Sequence, residues 1–154
     1  MTGPVHTGKT TALRQWMARH PEQFAGILAP VIDGQRHLQD ISTGEVRGLE
    51  NPINEADTVR VGPYCFSETV FRWARHRLAK QADILADRWL IIDELGKLEG
   101  QGQGLAPTAV EIMRNDRVDN LLVVIRDSLL AQFTADFGPE HYTIISREEL
   151  SRWP

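Results

Sequence analysis

Residues Gly3–Thr10 read G-P-V-H-T-G-K-T and match G-x-x-x-x-G-K-[ST], a phosphate-binding loop, at every fixed position. Each fixed position has a physical reason. Gly3 and Gly8 let the backbone turn tightly and bring successive N–H groups close to phosphate oxygens. Pro4 has no N–H, so donors are expected from His6, Thr7, Gly8, Lys9 and Thr10, where a helix N-terminus adds its positive end. Lys9 is expected to reach the β and γ phosphates, and the Thr10 hydroxyl to ligate Mg²⁺. Thr11 is a further candidate, for the α-phosphate. His6 reads as a backbone contributor rather than a catalytic histidine.

Working outward, Ala12, Leu13, Trp16 and Met17 share one helical face, and His20-Pro21 ends that helix. A loop that opens an amphipathic helix is the context phosphate binding requires. The second half of such a site is an acid delivered by an apolar strand. Trp89–Ile92 is such a run, and Asp93-Glu94 follows it. Asp93 is expected to hold Mg²⁺ through water, opposite Thr10, and Glu94 to take a proton from the attacking water. The 84 positions between Lys9 and Asp93 leave room for at least one strand–helix unit. That spacing and the adjacent glutamate resemble the RecA-like, additional-strand division of phosphate-loop proteins more than the small-GTPase and nucleotide-kinase division.

Other residues near these strand ends have two readings each. Arg126, after the apolar run Leu121–Ile125, either meets the γ-phosphate as a catalytic cation or closes a strand-end salt bridge. Lys97 and Glu99 are surface charges or line the site, and Tyr64 stacks on a base or packs internally. Asp127 or Ser128 is read as the cap of the helix that follows Arg126.

The remaining segments fill in an α/β pattern. Residues 24–49 read as an inserted hairpin about Asp33-Gly34, with Thr43-Gly44 as a second turn, and residues 58–62 as a short strand. Ser67 is placed to cap a helix to about Asp83, with Phe71, Ala74, Leu78 and Ala82 as its buried stripe. Pro107 suits the first turn of another helix after the glycine-rich stretch 99–107. A helix is expected from about Ser128 to Phe137, then a last strand at Tyr142–Ile145 and a capping box at Ser146 and Glu149. Alternating strands and helices predict one three-layer α/β domain over residues 1–154, built on a mostly parallel sheet.

Composition narrows the function classes. A net charge of −4 and a pI of about 5.7 disfavour a basic, sequence-independent grip on nucleic acid. Cys65 is the single cysteine, so intramolecular disulfides and cysteine-rich metal sites are excluded. No apolar run has bilayer-spanning length and the N-terminus has no signal-peptide core, which points to a cytoplasmic protein without a membrane partner.

Four stretches together resemble the small nucleoside-triphosphatases of the cancer-related nucleoside-triphosphatase type. They are TGPVHTGKTT, GILAPVIDGQRHLQDISTGE, VGPYCFSETVF and LIIDELGKLE, within residues 2 to about 130. The resemblance implies a RecA-like fold and Mg²⁺-dependent hydrolysis of several NTPs, ATP or GTP among them, to NDP and phosphate. By position it implies phosphate and metal binding at Gly8, Lys9 and Thr10, metal at Asp93 and water at Glu94. Such proteins carry an apolar strand before the loop, whereas here only Met1 and Thr2 precede Gly3. The expectation is therefore a natural start upstream and a gap in the middle of the sheet. Two other functions stay open on the residues alone: a kinase for a nucleoside or small metabolite, and a slow nucleotide-dependent switch.

Overall fold

The computed structural model describes residues 1–4, 7–50, 55–85, 87–114, 118–135 and 137–153. His6 and residues 51–54 of the expected polar loop lie outside the described residues.

The central sheet is organised around β8 (Trp89–Leu95), whose apolar run buries both faces. Alternation along the strand sends Leu90 and Ile92 into one core and Ile91 into the other. β8 lies parallel to β2 (Phe24–Leu28) on one side and to β9 (Leu121–Arg126) on the other. Beyond β9 comes β1 (Thr2–Gly3), also parallel. Beyond β2 the sheet turns antiparallel through β4 (Gln35–Asp40), which carries β3 (Val31–Ile32) and β5 (Val46–Gly48).

Helices cover both faces. α1 (Lys9–Met17) and α5 (Arg147–Leu150) supply Leu13, Trp16, Met17 and Leu150 to the core around Ile91, Phe24 and Val124. On the other face, α2 (Glu68–Ile84), α3 (Ala106–Met113) and α4 (Leu130–Thr134) supply Phe71, Leu78, Ile112 and Phe133. Each such large apolar side chain, once buried, stabilises the fold by about 1.5–3 kcal/mol relative to exposure. The three-layer α/β architecture expected from the sequence is the one observed.

Several boundaries differ from expectation. Phe24–Leu28 is a fully buried central strand, not part of an inserted hairpin; the antiparallel excursion starts only at Val31. Gly26 explains how β2 fits there: at φ +121, a Cβ would lie 2.0 Å from the Ile91 carbonyl oxygen on β8. Residues 58–62 are half of a second hairpin, β6 (Thr58–Val61) with β7 (Tyr64–Ser67). Ser67 caps α2 as expected, accepting from Val70 N, but Gln81 rather than Ala82 completes the buried stripe. Its amide donates to the buried Asp40, which also pairs with Arg77. The helix expected over 128–137 is a short α4 after a 3-10 turn at Asp127–Leu129, and no side chain caps either.

The sheet gap is also corrected. Thr2 and Gly3 pair with Ile125 and Arg126, so β1 continues the sheet beyond β9 without a gap and is its edge strand. With only two residues in β1, the ladder is short. Thr2 N donates to Ile145 O at 3.1 Å, yet Tyr142–Ile145 does not form the expected strand. The capping box at Ser146 and Glu149 is present.

Candidate functional site

Four carboxyl-terminal strand ends and one helix N-terminus meet at a single cleft. β1 delivers the loop to α1, β8 delivers Asp93 and Glu94, β9 delivers Arg126, and the end of β2 delivers Ala29. This is the edge where open α/β sheets bind ligands. The cleft holds about 510 Å³.

Gly8 starts α1 from the left-handed region, φ 76, so the loop enters the helix without Cβ strain. Thr7 Oγ1 donates to Pro4 O at 2.9 Å and closes the loop on itself. Lys9 is only 4% exposed; its ammonium donates to Gly3 O at 2.9 Å and Pro4 O at 2.7 Å. The same nitrogen stands 3.8 Å from Glu94 Oε2. One compact cation thus spans the loop and the acidic strand. Thr11 is exposed on the cleft wall.

Thr10 Oγ1 donates to Asp93 Oδ2 at 2.7 Å, joining the helix start to β8 across 83 positions of sequence. Ala29 N donates to the same oxygen at 3.2 Å. Asp93 is fully buried, and its other oxygen, Oδ1, has no hydrogen-bond partner among the described residues. Burial pushes its carboxyl up to about 6, against the opposing pull of the Thr10 and Ala29 donors. A buried, unpartnered carboxylate oxygen beside a hydroxyl is a hard-oxygen donor set that fits Mg²⁺.

β8 reaches this position through an irregularity. Ile92 pairs with Val123 and Leu95 with Ile125, so Asp93 and Glu94 occupy a bulge opposite one β9 residue. A bulge re-aims side chains next to a site. Both acids therefore lie inside a strand that continues to Leu95, rather than after one ending at Ile92. Glu94 Oε1 accepts from Arg126 Nε at 2.6 Å. Arg126 therefore makes a strand-end salt bridge, and that bridge is with the acid proposed from sequence as the base.

Behind Arg126, Gly96 lies flat on the guanidinium; a Cβ there would sit 3.0 Å from Arg126 Nε. Gly96 N in turn donates to Glu99 Oε2 at 2.9 Å, and Leu105 N to Oε1 at 3.2 Å. Glu99 is 6% exposed and its carboxyl is raised by burial, so it is an internal brace for residues 96–105 and not a surface charge. Lys97 is exposed and lines the cleft. Tyr64 is 43% exposed, with the Arg36 guanidinium 4.3 Å above its ring and Phe66 stacked beside it at 6.0 Å.

Two contributors escaped the sequence reading. Arg147, on α5, donates to Thr7 O at 2.7 Å and pins the loop from the far end of the chain. Ala29 acts through its backbone alone, which no residue pattern announces. The other sequence candidates, Gly3, Thr7, Gly8, Lys9, Thr10, Thr11, Asp93, Glu94 and Arg126, all lie at this cleft or its loop.

No family model and no curated protein matches the sequence. Solved structures do. The crystal structure of THEP1 from the hyperthermophile Aquifex aeolicus superposes with a TM-score of 0.68 at 19% identity, covering 88% of this chain and 80% of that one. The solution structure of a human cancer-related nucleoside triphosphatase gives 0.59 at 23% identity, covering 81% and 73%. These likenesses place the chain in the phosphate-loop NTPase fold.

Proposed function

We propose that the protein is a Mg²⁺-dependent nucleoside-triphosphatase that hydrolyses NTPs, ATP or GTP among them, to NDP and phosphate. The observation that carries the reading is the bond from Thr10 to Asp93 at 2.7 Å, which brings a phosphate loop and an acid pair to one point. The name of one solved neighbour, a human cancer-related nucleoside triphosphatase, supports the same reaction class.

In this reading the backbone N–H groups at the start of α1 hold the phosphates, and Lys9 leaves the Gly3 and Pro4 carbonyls for the β and γ oxygens. The Thr10 hydroxyl and Asp93 would hold Mg²⁺, which would supply charge neutralisation at the phosphates. Glu94 takes the proton from the water that attacks the γ-phosphorus, and the bond to the β-bridging oxygen breaks. An incoming triphosphate competes with Glu94 for both Lys9 and Arg126, cations that stand 3.8 and 2.6 Å from it. Binding thereby frees the base and supplies two charges to the transition state. Most of the acceleration comes from positioning and charge stabilisation.

The test is phosphate release from each of the four NTPs with Mg²⁺, for the wild type and Glu94→Gln. Glu94→Gln is expected to keep triphosphate binding and to slow release by about 10²–10⁴-fold. Full activity in that variant would remove Glu94 from the mechanism.

A further inference from the structure

Beyond the acid pair on β8 the cleft continues past β2 to residues of the antiparallel extension and the β6–β7 hairpin, among them Arg36, Leu38 and Tyr64. If the triphosphate lies over the loop with its α-phosphate towards Thr11 and its γ-phosphate at Lys9 and Glu94, the nucleotide's own base extends away from β8. In-line displacement puts the attacking atom on the opposite side of the γ-phosphorus from the leaving oxygen. The loop follows β1, and β2 and β4 lie beyond β8 from it in the sheet order, so that side faces β2, the antiparallel extension and the β6–β7 hairpin. Water as nucleophile needs no more than a pocket of its own size there.

The wall on that side is instead built for a flat organic molecule. Leu38, Leu49, Val61 and Phe71 line the same cleft as Lys9 and Glu94. Tyr64 and Phe66 add two parallel rings, 6° apart, with the Arg36 guanidinium over both, at 4.3 and 5.7 Å. Arg36 is already paired with Glu50 at 3.3 Å, so its charge is compensated. The wall therefore suits a neutral planar heterocycle better than a phosphorylated one. A total volume of about 510 Å³ is within the range of pockets that bury whole small molecules.

We propose that this arm of the cleft binds a nucleoside, its base against Tyr64 and Arg36 and a sugar hydroxyl at Glu94, as an acceptor of the γ-phosphoryl group. The proposal rests on the triphosphatase reading, because it uses the same base. The acceptor oxygen forms the new bond to the γ-phosphorus and its proton passes to Glu94. The bond from phosphorus to the β-bridging oxygen breaks, and the nucleoside diphosphate leaves with the electron pair. One NTP and one nucleoside thus give one NDP and one nucleoside monophosphate.

The test incubates the protein with γ-labelled ATP, Mg²⁺ and adenosine, guanosine, cytidine or thymidine, separating labelled nucleoside monophosphate from free phosphate. Label is expected in at least one nucleoside. Tyr64→Ala and Tyr64→Leu, which remove the flat ring with and without its bulk, are expected to raise the KM for that nucleoside about tenfold. Tyr64→Phe is expected to restore it. Far-UV circular dichroism confirms that each variant is folded. Phosphate release with no nucleoside present is followed alongside and reports on the triphosphate site separately. Free phosphate with no labelled nucleoside would overturn the acceptor proposal and leave the triphosphatase reading standing. With neither product, the triphosphatase reading and the acceptor proposal both fail.

Discussion

Replacing Asp93 by asparagine is expected to stabilise the metal-free protein, and the size of the effect follows from the burial of that carboxylate. Asp93 is fully enclosed, with one oxygen serving Thr10 and Ala29 and the other unpartnered among the described residues. Its carboxyl is raised from 3.8 to about 6, so at neutral pH ionisation costs the native state about 3 kcal/mol relative to the unfolded chain. The direction is fixed by proton binding. Between those two values the native state binds more protons than the unfolded one, so this contribution to stability falls as pH rises through the window and is flat above it. Asparagine has nearly the same shape, can accept the same two hydrogen bonds, and does not titrate. Urea unfolding with a chelator present, at several pH values from about 4 to 7, gives the stability of each form. The advantage of Asp93→Asn is expected to grow by about 3 kcal/mol across that range. Titrating groups that do not interact with Asp93, Glu99 among them, cancel in the difference. A difference that stays constant with pH would refute the claim that this carboxylate pays a desolvation cost while waiting for a cation.

Lys9→Ala is expected to weaken binding of a non-hydrolysable triphosphate by about 10- to 100-fold in a calorimetric titration, the loss of charge-assisted hydrogen bonds. Arg126→Ala is expected to slow phosphate release by about 10²–10³-fold, as for a lost transition-state cation. Gly26→Ala drives a methyl group to 2.0 Å from Ile91 O at φ +121 and is expected to cost more than about 3 kcal/mol in urea unfolding. Gly44→Ala, at φ +75 with nothing within 4 Å of the added carbon, is its control and is expected to cost about 1 kcal/mol.

The parts of the site that rest on local pattern were legible in the sequence. The loop, its helix and the strand carrying Asp93-Glu94 each announce themselves within a dozen residues, because backbone turning, helix amphipathicity and strand burial are local demands. The Ser146–Glu149 capping box is equally local. What pattern does not carry is partnership over distance. Nothing near Arg126 tells whether it pairs with Glu94, and nothing near Arg147 points to Thr7, 140 positions away. Glu99 reads as polar and so as exposed, yet two amides of its own loop satisfy its buried oxygens. Asp33-Gly34 is a strong turn signal that draws Phe24–Leu28 into a hairpin on the sequence alone, whereas the turn joins the next pair of strands. Tyr142–Ile145 has strand composition, but β1 is too short to pair along it.

A crystal structure with Mg²⁺ and a non-hydrolysable triphosphate tests the central claim most directly. The account predicts the γ-phosphate between Lys9 and Glu94, with the Lys9 ammonium moved off the Gly3 and Pro4 carbonyls and the metal between Thr10 and Asp93. A triphosphate bound elsewhere, with Lys9 still donating to those two carbonyls, would contradict it.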